Sequence, residues 1–169
     1  MPKTRKSSSV AGARRSVRSQ TARKRQGGSA GPSIRGFTLA DYEAVYALWR
    51  DAGDGIVLGR SDTREEIAKK LQRDPDLFLV AVAGDRVIGA VIGGFDGRRG
   101  LIYHLAVAPS YQRHGIGRRL MDEVERRLRA KGCVRCYLLV KDDATDLMEF
   151  YRRLGWNPFG AVTLSKTIA

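Results

Sequence analysis

The sequence predicts a mixed α/β fold in which helices flank one sheet whose strands are mostly antiparallel. Three apolar runs, at 77–83, 86–95 and 101–107, are separated by short polar connections that contain glycine. Runs joined in this way are typical of antiparallel hairpins. Apolar residues then recur at every fourth position over 116–128, which indicates a helix, and a further strand is predicted at 137–140. The last strand of the hairpins, this helix and the new strand form one crossover unit.

One strand and two helices are predicted before these runs. A short strand at 34–37 leads into a helix over 38–53, whose apolar and aromatic side chains share one face. Ser61 or Asp62 is the expected cap of the second helix, because short polar side chains accept hydrogen bonds from the first free amides of a helix. Asp74, which precedes a proline, should end that helix.

Two further elements are predicted after the strand at 137–140. A helix at 144–154 carries its apolar residues on one side. The closing stretch "WNPFGAVTLSKTIA" predicts one or two short strands. Gly132 should end the earlier helix, the one predicted over 116–128, because glycine readily adopts the conformation that closes helices.

The positive charge of the chain is concentrated in its first 33 residues. The protein has 169 residues and a net charge of +13, but nine of its 31 basic residues and none of its 18 acidic residues lie in 1–33. This arm has almost no large apolar side chains, so we expect it to be disordered, whereas 34–169 has the composition of one globular domain. Three roles stay open for the arm: a nonspecific contact with nucleic acid or another polyanion, a transit peptide without a clear amphipathic face, and a solvated extension.

The composition argues against membrane and secreted proteins. No apolar run is long enough for a membrane span or a signal sequence. Cys133 and Cys136 are the only cysteines, and a lone C-x-x-C pair lacks the two further ligands of a zinc site. Two reduced thiols at the start of a strand fit an intracellular protein, and we expect a cytoplasmic location.

The stretch "QRHGIG", residues 112–117, has the features of an anion-binding loop. It follows a strand and opens a helix, where unpaired amides attract phosphate, and its glycines let a diphosphate approach the backbone. Arg113 and Arg118 can add charge-assisted hydrogen bonds. The loop is neither a dinucleotide fingerprint, which needs a third glycine, nor a P-loop, which ends in G-K-[ST]. Taken alone, the two glycines are also compatible with a simple turn before a surface helix.

Two motifs, at the right separation and on the right elements, resemble the GNAT superfamily of N-acetyltransferases. The first is the pattern [RQ]-x-x-G-x-[GA] after a strand that ends in L-x-V-x-P, and the second is [LF]-Y-x-x-x-G-[FW]. The matching residues are Leu105, Val107, Pro109, Gln112, Gly115 and Gly117 in the first motif, and Phe150, Tyr151, Gly155 and Trp156 in the second. The resemblance covers 34–169, implies the GNAT fold, and is closest to small bacterial YpeA-like and RimI-like members.

The resemblance implies acetyl-CoA as co-substrate and no metal. The pantetheine arm would run beside one strand, and the pyrophosphate would lie on the amides of the glycine loop. The residues expected at these two places are Leu105, Ala106 and Val107 on the strand, and Gln112, Arg113, His114, Gly115, Ile116, Gly117 and Arg118 around the loop.

Acyl transfer to an amine needs a neutral amine, a stabilised carbonyl oxygen and a proton for the departing thiolate. The resemblance assigns the last task to Tyr151, although this residue also fits the apolar stripe of its helix as a core aromatic. A backbone N–H of 105–107 is the expected partner of the carbonyl oxygen. No covalent nucleophile is needed if the amine attacks directly, and the two cysteines lie on the wrong segment to act as one.

The general base is left open by the resemblance. Tyr103 and His104 are the candidates, adjacent on one strand and therefore expected on opposite faces of the sheet. Tyr103 would share its face with Leu105 and Val107, whereas His104 would share the other face with Ala106 and pack against a helix. We rank a water relayed through Tyr103 first and His104 second.

The sequence departs from the family at one position that contacts the cofactor, and it leaves the acceptor site open. Relatives often carry Asn where this chain has Ala144, which puts one contact with pantetheine in doubt. The acceptor is expected to enter beside "RDAGDGIVLGR" and Trp49. Asp51 and Asp54 in that stretch either attract an ammonium group or are only turn residues.

Three functions follow as hypotheses. The first is an N-acetyltransferase that acts on a protein N-terminus, a lysine or a small amine, as a monomer or a homodimer. The second narrows the acceptor to the N-terminal alanine of a ribosomal protein, as in RimI-like members. The third is a non-catalytic module that senses acyl-CoA and contacts nucleic acid through the basic arm.

Overall fold

The computed structural model describes residues 31–52, 55–141 and 143–168, which form four α-helices and a five-stranded sheet. In chain order the elements are β1 (Ser33–Gly36), α1 (Tyr42–Arg50), α2 (Arg64–Arg73), β2 (Phe78–Ala83), β3 (Arg86–Phe95), β4 (Gly100–Val107), α3 (Ile116–Ala130), β5 (Cys136–Leu138) and α4 (Thr145–Arg153). Three-residue 3-10 turns precede α1, α2 and α3, at Leu39–Asp41, Arg60–Asp62 and Pro109–Tyr111.

The strands lie in the sheet in their chain order, from β1 to β5. The pairs β1–β2, β2–β3 and β3–β4 are antiparallel, and the last two of these pairs confirm the predicted meander. β5 returns parallel to β4 after α3, which confirms the predicted crossover unit. The mixed α/β fold with a mostly antiparallel sheet is therefore the one that the sequence predicts.

The helices cover both faces of the sheet, and each face has its own core. On the face covered by α1 and α2, here called the α1 face, the rings of Phe37 and Phe78 stack with centroids 3.9 Å apart. On the opposite face, called the α3 face, α3 and α4 bury Leu120 and Val124 completely against the strands. Burying a large apolar side chain stabilises the fold by about 1.5–3 kcal/mol, so both layers contribute substantially.

The starts of α1 and α2 differ from the prediction. Thr63 caps α2, because its hydroxyl accepts a hydrogen bond from the amide of Glu66 at 3.4 Å. Neither Ser61 nor Asp62 takes this role, since both belong to the 3-10 turn that precedes the helix. A similar turn precedes α1, so this helix begins at Tyr42 rather than near residue 38, and it ends at Arg50.

The strands predicted after the last helix are absent from the described residues. The segment 157–168 is exposed along its whole length and forms no ladder with β5. Its apolar side chains at Val162, Leu164 and Ile168 point away from the core. The prediction was wrong because a strand needs a hydrogen-bonded neighbour, and β5 is only three residues long.

The basic arm lies outside the described residues except for its last three positions. Of these, Ser33 opens β1, and the carbonyl of Pro32 accepts a hydrogen bond from Arg119 at 2.7 Å. Within the ranges given above, no helix is both long and apolar enough to cross a membrane.

We expect removal of residues 1–30 to leave the melting temperature almost unchanged, because this arm has too few apolar residues to contribute to a core. Thermal unfolding of the full chain and the shortened chain measures this directly. Any nonspecific binding of DNA by the full chain should disappear with the arm and weaken steeply with salt. A large fall in melting temperature would show instead that the arm packs against the domain.

Candidate functional site

The N-terminus of α3 presents free backbone amides to solvent. Gly115 is the N-cap residue, with φ +77°, and no side chain caps the helix. The first amides of a helix have no intrahelical acceptor, so those at 116–118 remain available to an anion. A Cβ atom built on Gly115 would meet no atom within 4 Å, which shows that the space beside the loop is open. This geometry leaves room for an anion beside the free amides.

The side chains around this loop are arranged to hold it in place or to add positive charge. Gln112 donates from Nε2 to the carbonyl of Val107 at 3.0 Å, which fastens the loop to β4. Ile116 is buried in the core of the α3 face, so its side chain anchors the first turn of the helix. Arg113 and Arg118 are exposed beside the free amides, and only a loose contact of 3.8 Å joins Arg118 to Asp122.

The other residues expected at the loop have more local roles. His114 is exposed, and its Nδ1 lies 2.7 Å from the carbonyl oxygen of Gln112. Gly117 lies close to α4 and β4, since a Cβ there would be 3.4 Å from the ring of Phe150 and 3.7 Å from Val107. Gly117 therefore permits close packing, whereas Gly115 permits the left-handed turn.

The edge of β4 is open next to the loop. β5 pairs with β4 only from Gly100 to Ile102, so the stretch 103–107 extends beyond this pairing. Backbone amides and carbonyls along an unpaired edge can bind an extended ligand as if it were another strand. The open edge and the free amides of α3 are adjacent, because only residues 108–115 separate β4 from the helix.

A β-bulge in this open stretch interrupts the regular alternation of side chains along β4. Ala90 pairs with Ala106 and Ile92 with Tyr103, so two residues of β4 lie opposite the single residue between them on β3. One of the two is His104, whose φ of +56° is a left-handed conformation in a non-glycine residue. Such a conformation costs of the order of 1–3 kcal/mol and is typical of functional sites.

The bulge places Tyr103 and His104 on the same face, so the prediction of opposite faces was wrong. Their rings meet edge to face on the α1 face, with centroids 5.7 Å apart. Leu105 and Val107 pack into the core of the α3 face, whereas Ala106 packs into that of the α1 face. The strict alternation of a strand fails here because the bulge inserts one additional residue.

His104 makes a hydrogen bond that sequence analysis did not predict. Its Nε2 lies 2.8 Å from Oδ1 of Asp62, which is only 5% exposed. Burial alone would raise the pKa of Asp62, but hydrogen bonds from His104 and from the amide of Gly59 outweigh it and hold the pKa below its usual range. Asp62 is therefore a buried, ionised carboxylate that accepts a hydrogen bond from the imidazole N–H.

Trp49 does not line the acceptor entrance as predicted. It is 1% exposed, and its ring packs 5.8 Å from that of Phe78 and 5.0 Å from that of His104. Its large apolar ring belongs to the buried core of the α1 face. Asp51 is exposed and lies 3.8 Å from the guanidinium of Arg50. Asp54 lies outside the described residues.

Tyr151 combines a buried ring with a protonated hydroxyl. The ring is 8% exposed and contacts Phe150 and Trp156 edge to face. Burial raises the pKa of Tyr151 to about 12, so its hydroxyl keeps its proton at neutral pH. The residue lines a groove of about 930 Å³ between α3, β5 and α4. Ala144, the residue before α4, provides no side-chain cap for that helix.

The two cysteines lie together at the start of β5. The Sγ atoms of Cys133 and Cys136 are 3.6 Å apart, and both residues are free thiols. Burial raises the pKa of Cys136 to about 12, which keeps this thiol protonated and unreactive. Among the described residues, no group of three or more His, Cys, Asp or Glu side chains is arranged to hold a metal ion.

Comparison with known proteins identifies the family of this chain. The profile of the acetyltransferase (GNAT) family matches residues 42–156. An acetyltransferase of Pectobacterium atrosepticum is 36% identical over 135 residues, which are 80% of this chain and 94% of that protein. A Yersinia pestis protein named as an N-acetyltransferase is 33% identical, with the same coverage of both chains.

Two solved structures show the same fold at lower identity. Ard1 from Thermoplasma volcanium superimposes with a TM-score of 0.66 at 24% identity, over 75% of this chain and 82% of that one. The PaiA N-acetyltransferase from Thermoplasma acidophilum, solved in complex with coenzyme A, gives 0.65 at 22% identity, over 74% and 89% of the two chains. The family profile, the relatives and the shared fold together show that this chain belongs to the GNAT acetyltransferase family and is an acyltransferase.

Proposed function

We propose that the protein is an N-acetyltransferase that transfers an acetyl group from acetyl-CoA to a primary amine by direct attack of the amine. The observation that carries this proposal is the uncapped N-terminus of α3 next to the open edge of β4. One GNAT structure of the same fold was solved with coenzyme A and a second ligand, and another with coenzyme A. The acceptor is a protein N-terminus, a lysine or a small amine.

The residues of the loop and the strand fit the two halves of acetyl-CoA. The amides of 113–118, together with Arg113 and Arg118, would hold the pyrophosphate by charge-assisted hydrogen bonds. The backbone of 105–107 would bind the pantetheine arm, which carries amide groups of its own. The bound thioester supplies the acetyl group. Ala144 offers no amide side chain, so the backbone edge of β4 is the main determinant of binding along this arm.

The bulge in β4 is suited to stabilising the carbonyl oxygen of the thioester. A bulge leaves one residue of the ladder unpaired, and its N–H is then free to donate. A backbone N–H from 105–107 aimed at the oxygen would stabilise the negative charge that develops there during attack. Tyr151, with its raised pKa of about 12, would donate its proton to the departing thiolate.

Two groups on the α1 face are candidates for the proton acceptor. Burial raises the pKa of Tyr103, so this phenol stays protonated and can act only by relaying a proton through water. His104 is next to it and can accept a proton directly, because neutral imidazole has a free lone pair. Both side chains lie in the open stretch of β4 where the thioester is expected.

The full-length protein mixed with acetyl-CoA and a panel of amines tests this proposal. The panel contains peptides with different N-terminal residues, lysine peptides and polyamines, and the readouts are release of free CoA and the mass of each acceptor. We expect CoA release with at least one class and a mass increase equal to one acetyl group. Binding of acetyl-CoA without turnover on any amine would favour the sensing module, and absence of binding would refute the proposed site.

A further inference from the structure

We propose that Asp62 and His104 form a catalytic dyad on the α1 face, in which His104 takes the proton of the attacking amine and Asp62 is its positioning residue. This inference rests on the proposed function, because it assigns the base of that reaction. It goes further by adding Asp62 to the site, and by choosing His104 over water relayed through Tyr103.

The first support is the direction of the hydrogen bond between the two side chains. The carboxylate of Asp62 can only accept, so at 2.8 Å the Nε2 of His104 must carry a hydrogen. A neutral imidazole with its hydrogen on Nε2 has its lone pair on Nδ1. Within the described part of the chain, Nδ1 has no hydrogen-bond partner, and the side chain of His104 is 17% exposed. Nδ1 is therefore the atom that accepts the proton.

The second support is the rigidity of the carboxylate. Its Oδ2 accepts a hydrogen bond from the amide of Gly59 at 2.8 Å, while Oδ1 is left for His104. The hydroxyl of Tyr42 in α1 donates to the carbonyl of Asp62 at 2.9 Å, which holds the backbone as well. A carboxylate fixed at both oxygens orients the imidazole without further rearrangement.

The third support is the charge around the imidazole. The groups that face it are Asp62 from the turn before α2, Tyr103 from β4, and the uncharged indole of Trp49 from α1. Among these described neighbours, Asp62 is the one that is ionised at neutral pH. Proton transfer to His104 creates an imidazolium beside a carboxylate, and the opposite charges stabilise it.

The step balances in protons and bonds. As the nitrogen–carbon bond forms and the carbon–sulfur bond breaks, the amine loses one proton to Nδ1 of His104. The departing thiolate gains one proton from Tyr151. Solvent then returns both residues to their starting states, so one proton taken up on the α1 face matches one released at the sulfur.

A purely structural role is the alternative for Asp62, and Asp41 provides a matched control for it. Each of these residues is the last of a 3-10 turn, is buried, and accepts a hydrogen bond from the amide three residues before it. Asp41 differs in its partner, since it pairs with Arg35 at 2.7 Å rather than with a histidine. An effect of turn geometry should therefore appear in both variants, and an effect of the dyad only in one.

The test uses four full-length variants: Asp62→Asn, Asp41→Asn, His104→Gln, and the double variant Asp62→Asn with His104→Gln. We expect Asp62→Asn to lower kcat by roughly 10²- to 10⁴-fold with acetyl-CoA affinity unchanged, as loss of an orienting carboxylate does in other enzymes. Asp41→Asn should keep its kcat within about threefold.

The double variant shows whether Asp62 acts through His104 or independently of it. We expect Asp62→Asn to have almost no further effect on kcat once His104 is Gln, because residues acting as a unit are not additive. An equal loss of kcat in both backgrounds would overturn the dyad. So would normal turnover in His104→Gln, which would favour water relayed through Tyr103.

A spectroscopic readout keeps the proposal testable if Asp62→Asn fails to fold. Nitrogen-15 NMR of the wild-type protein reports which imidazole nitrogen carries the hydrogen. Hydrogen on Nε2 of His104 supports the dyad, and hydrogen on Nδ1 alone overturns it. Failure of the dyad is distinct from failure of the proposed function, because the latter would appear as an absence of CoA release from the wild-type protein with every amine.

Discussion

We expect Gly115→Asp to abolish measurable binding of acetyl-CoA while the protein stays folded. Gly115 has φ +77°, and the space that its Cβ would occupy is open, so the substitution brings moderate backbone strain and no clash. The new carboxylate would lie at the free amides of α3, where it repels the pyrophosphate and competes for the same donors. Isothermal calorimetry of wild type and variant with acetyl-CoA measures the loss.

Gly132→Asp is the matched control for this prediction. Gly132 has φ +83° and equally open surroundings, but it follows the other end of α3. The control therefore adds the same side chain, the same charge and similar strain at the far end of a 15-residue helix, about 22 Å away at 1.5 Å of rise per residue. It should bind acetyl-CoA normally. Wild-type affinity in a folded Gly115→Asp variant would contradict the assignment of this loop.

Gly117→Asp should also abolish binding, but it is a less specific test. A Cβ at this position would lie 3.4 Å from the ring of Phe150, so the larger side chain also pushes α3 away from α4. Loss of binding in that variant would combine electrostatic repulsion with a packing defect. Gly115 separates the two causes, because nothing is packed against it.

The sequence was sufficient for the meander of β2, β3 and β4 and for the start of α3 at the glycine loop, because their signals are local. The apolar runs of β2, β3 and β4 and the short connections between them indicate an antiparallel meander. The loop could be predicted from a few adjacent residues, since a helix that starts with glycine and has no capping side chain leaves its amides free. Each of these features is determined by residues close together in the chain.

The arrangement of Tyr103, His104 and Asp62 on the α1 face could not be predicted in the same way, because it depends on a bulge and on a contact between distant parts of the chain. The bulge at His104 inserts one residue into β4, and no glycine or proline lies within residues 101–107 to mark it. Without the bulge, period-two alternation places His104 and Tyr103 on opposite faces. Asp62 lies 42 residues from His104 in the chain, so the pair forms only when the turn before α2 packs against β4.

Asp62 also shows that an acidic residue just before a helix is compatible with two structural roles. In the sequence it precedes Thr63 and two glutamates, which is the pattern of a helix start. In the structure Thr63 caps the helix, and Asp62 instead joins a 3-10 turn to an imidazole. Short acidic side chains before a helix satisfy either role, and only the packed structure distinguishes them.

We expect Tyr151→Phe to lower kcat by roughly 10²- to 10⁴-fold, the usual effect of removing a positioned general acid. The hydroxyl has no hydrogen-bond partner among the described residues, so its removal leaves no polar group unpaired and should not change the melting temperature. The phenylalanine ring keeps the contacts with Phe150 and Trp156. Acetyl-CoA affinity should therefore remain near that of the wild type.

The kinetic pattern of Tyr151→Phe distinguishes proton donation from packing. Donation acts only in the transition state, so kcat and kcat/KM should fall by the same factor. Tyr151→Leu is the comparison at the same position, because it removes the hydroxyl and also part of the ring packing. The value of kcat should fall by the same factor in both variants, but the melting temperature should fall only in Tyr151→Leu.

The pH dependence of the wild-type enzyme gives an independent check on Tyr151. A general acid must be protonated to act, so activity that depends on it falls as pH rises through its pKa. That pKa is raised to about 12 by burial, so ionisation of Tyr151 should cause no loss of rate across the neutral and mildly alkaline range. Turnover near the wild-type level in Tyr151→Phe would mean that the ring belongs to the core alone and that the thiolate leaves without a proton from this residue.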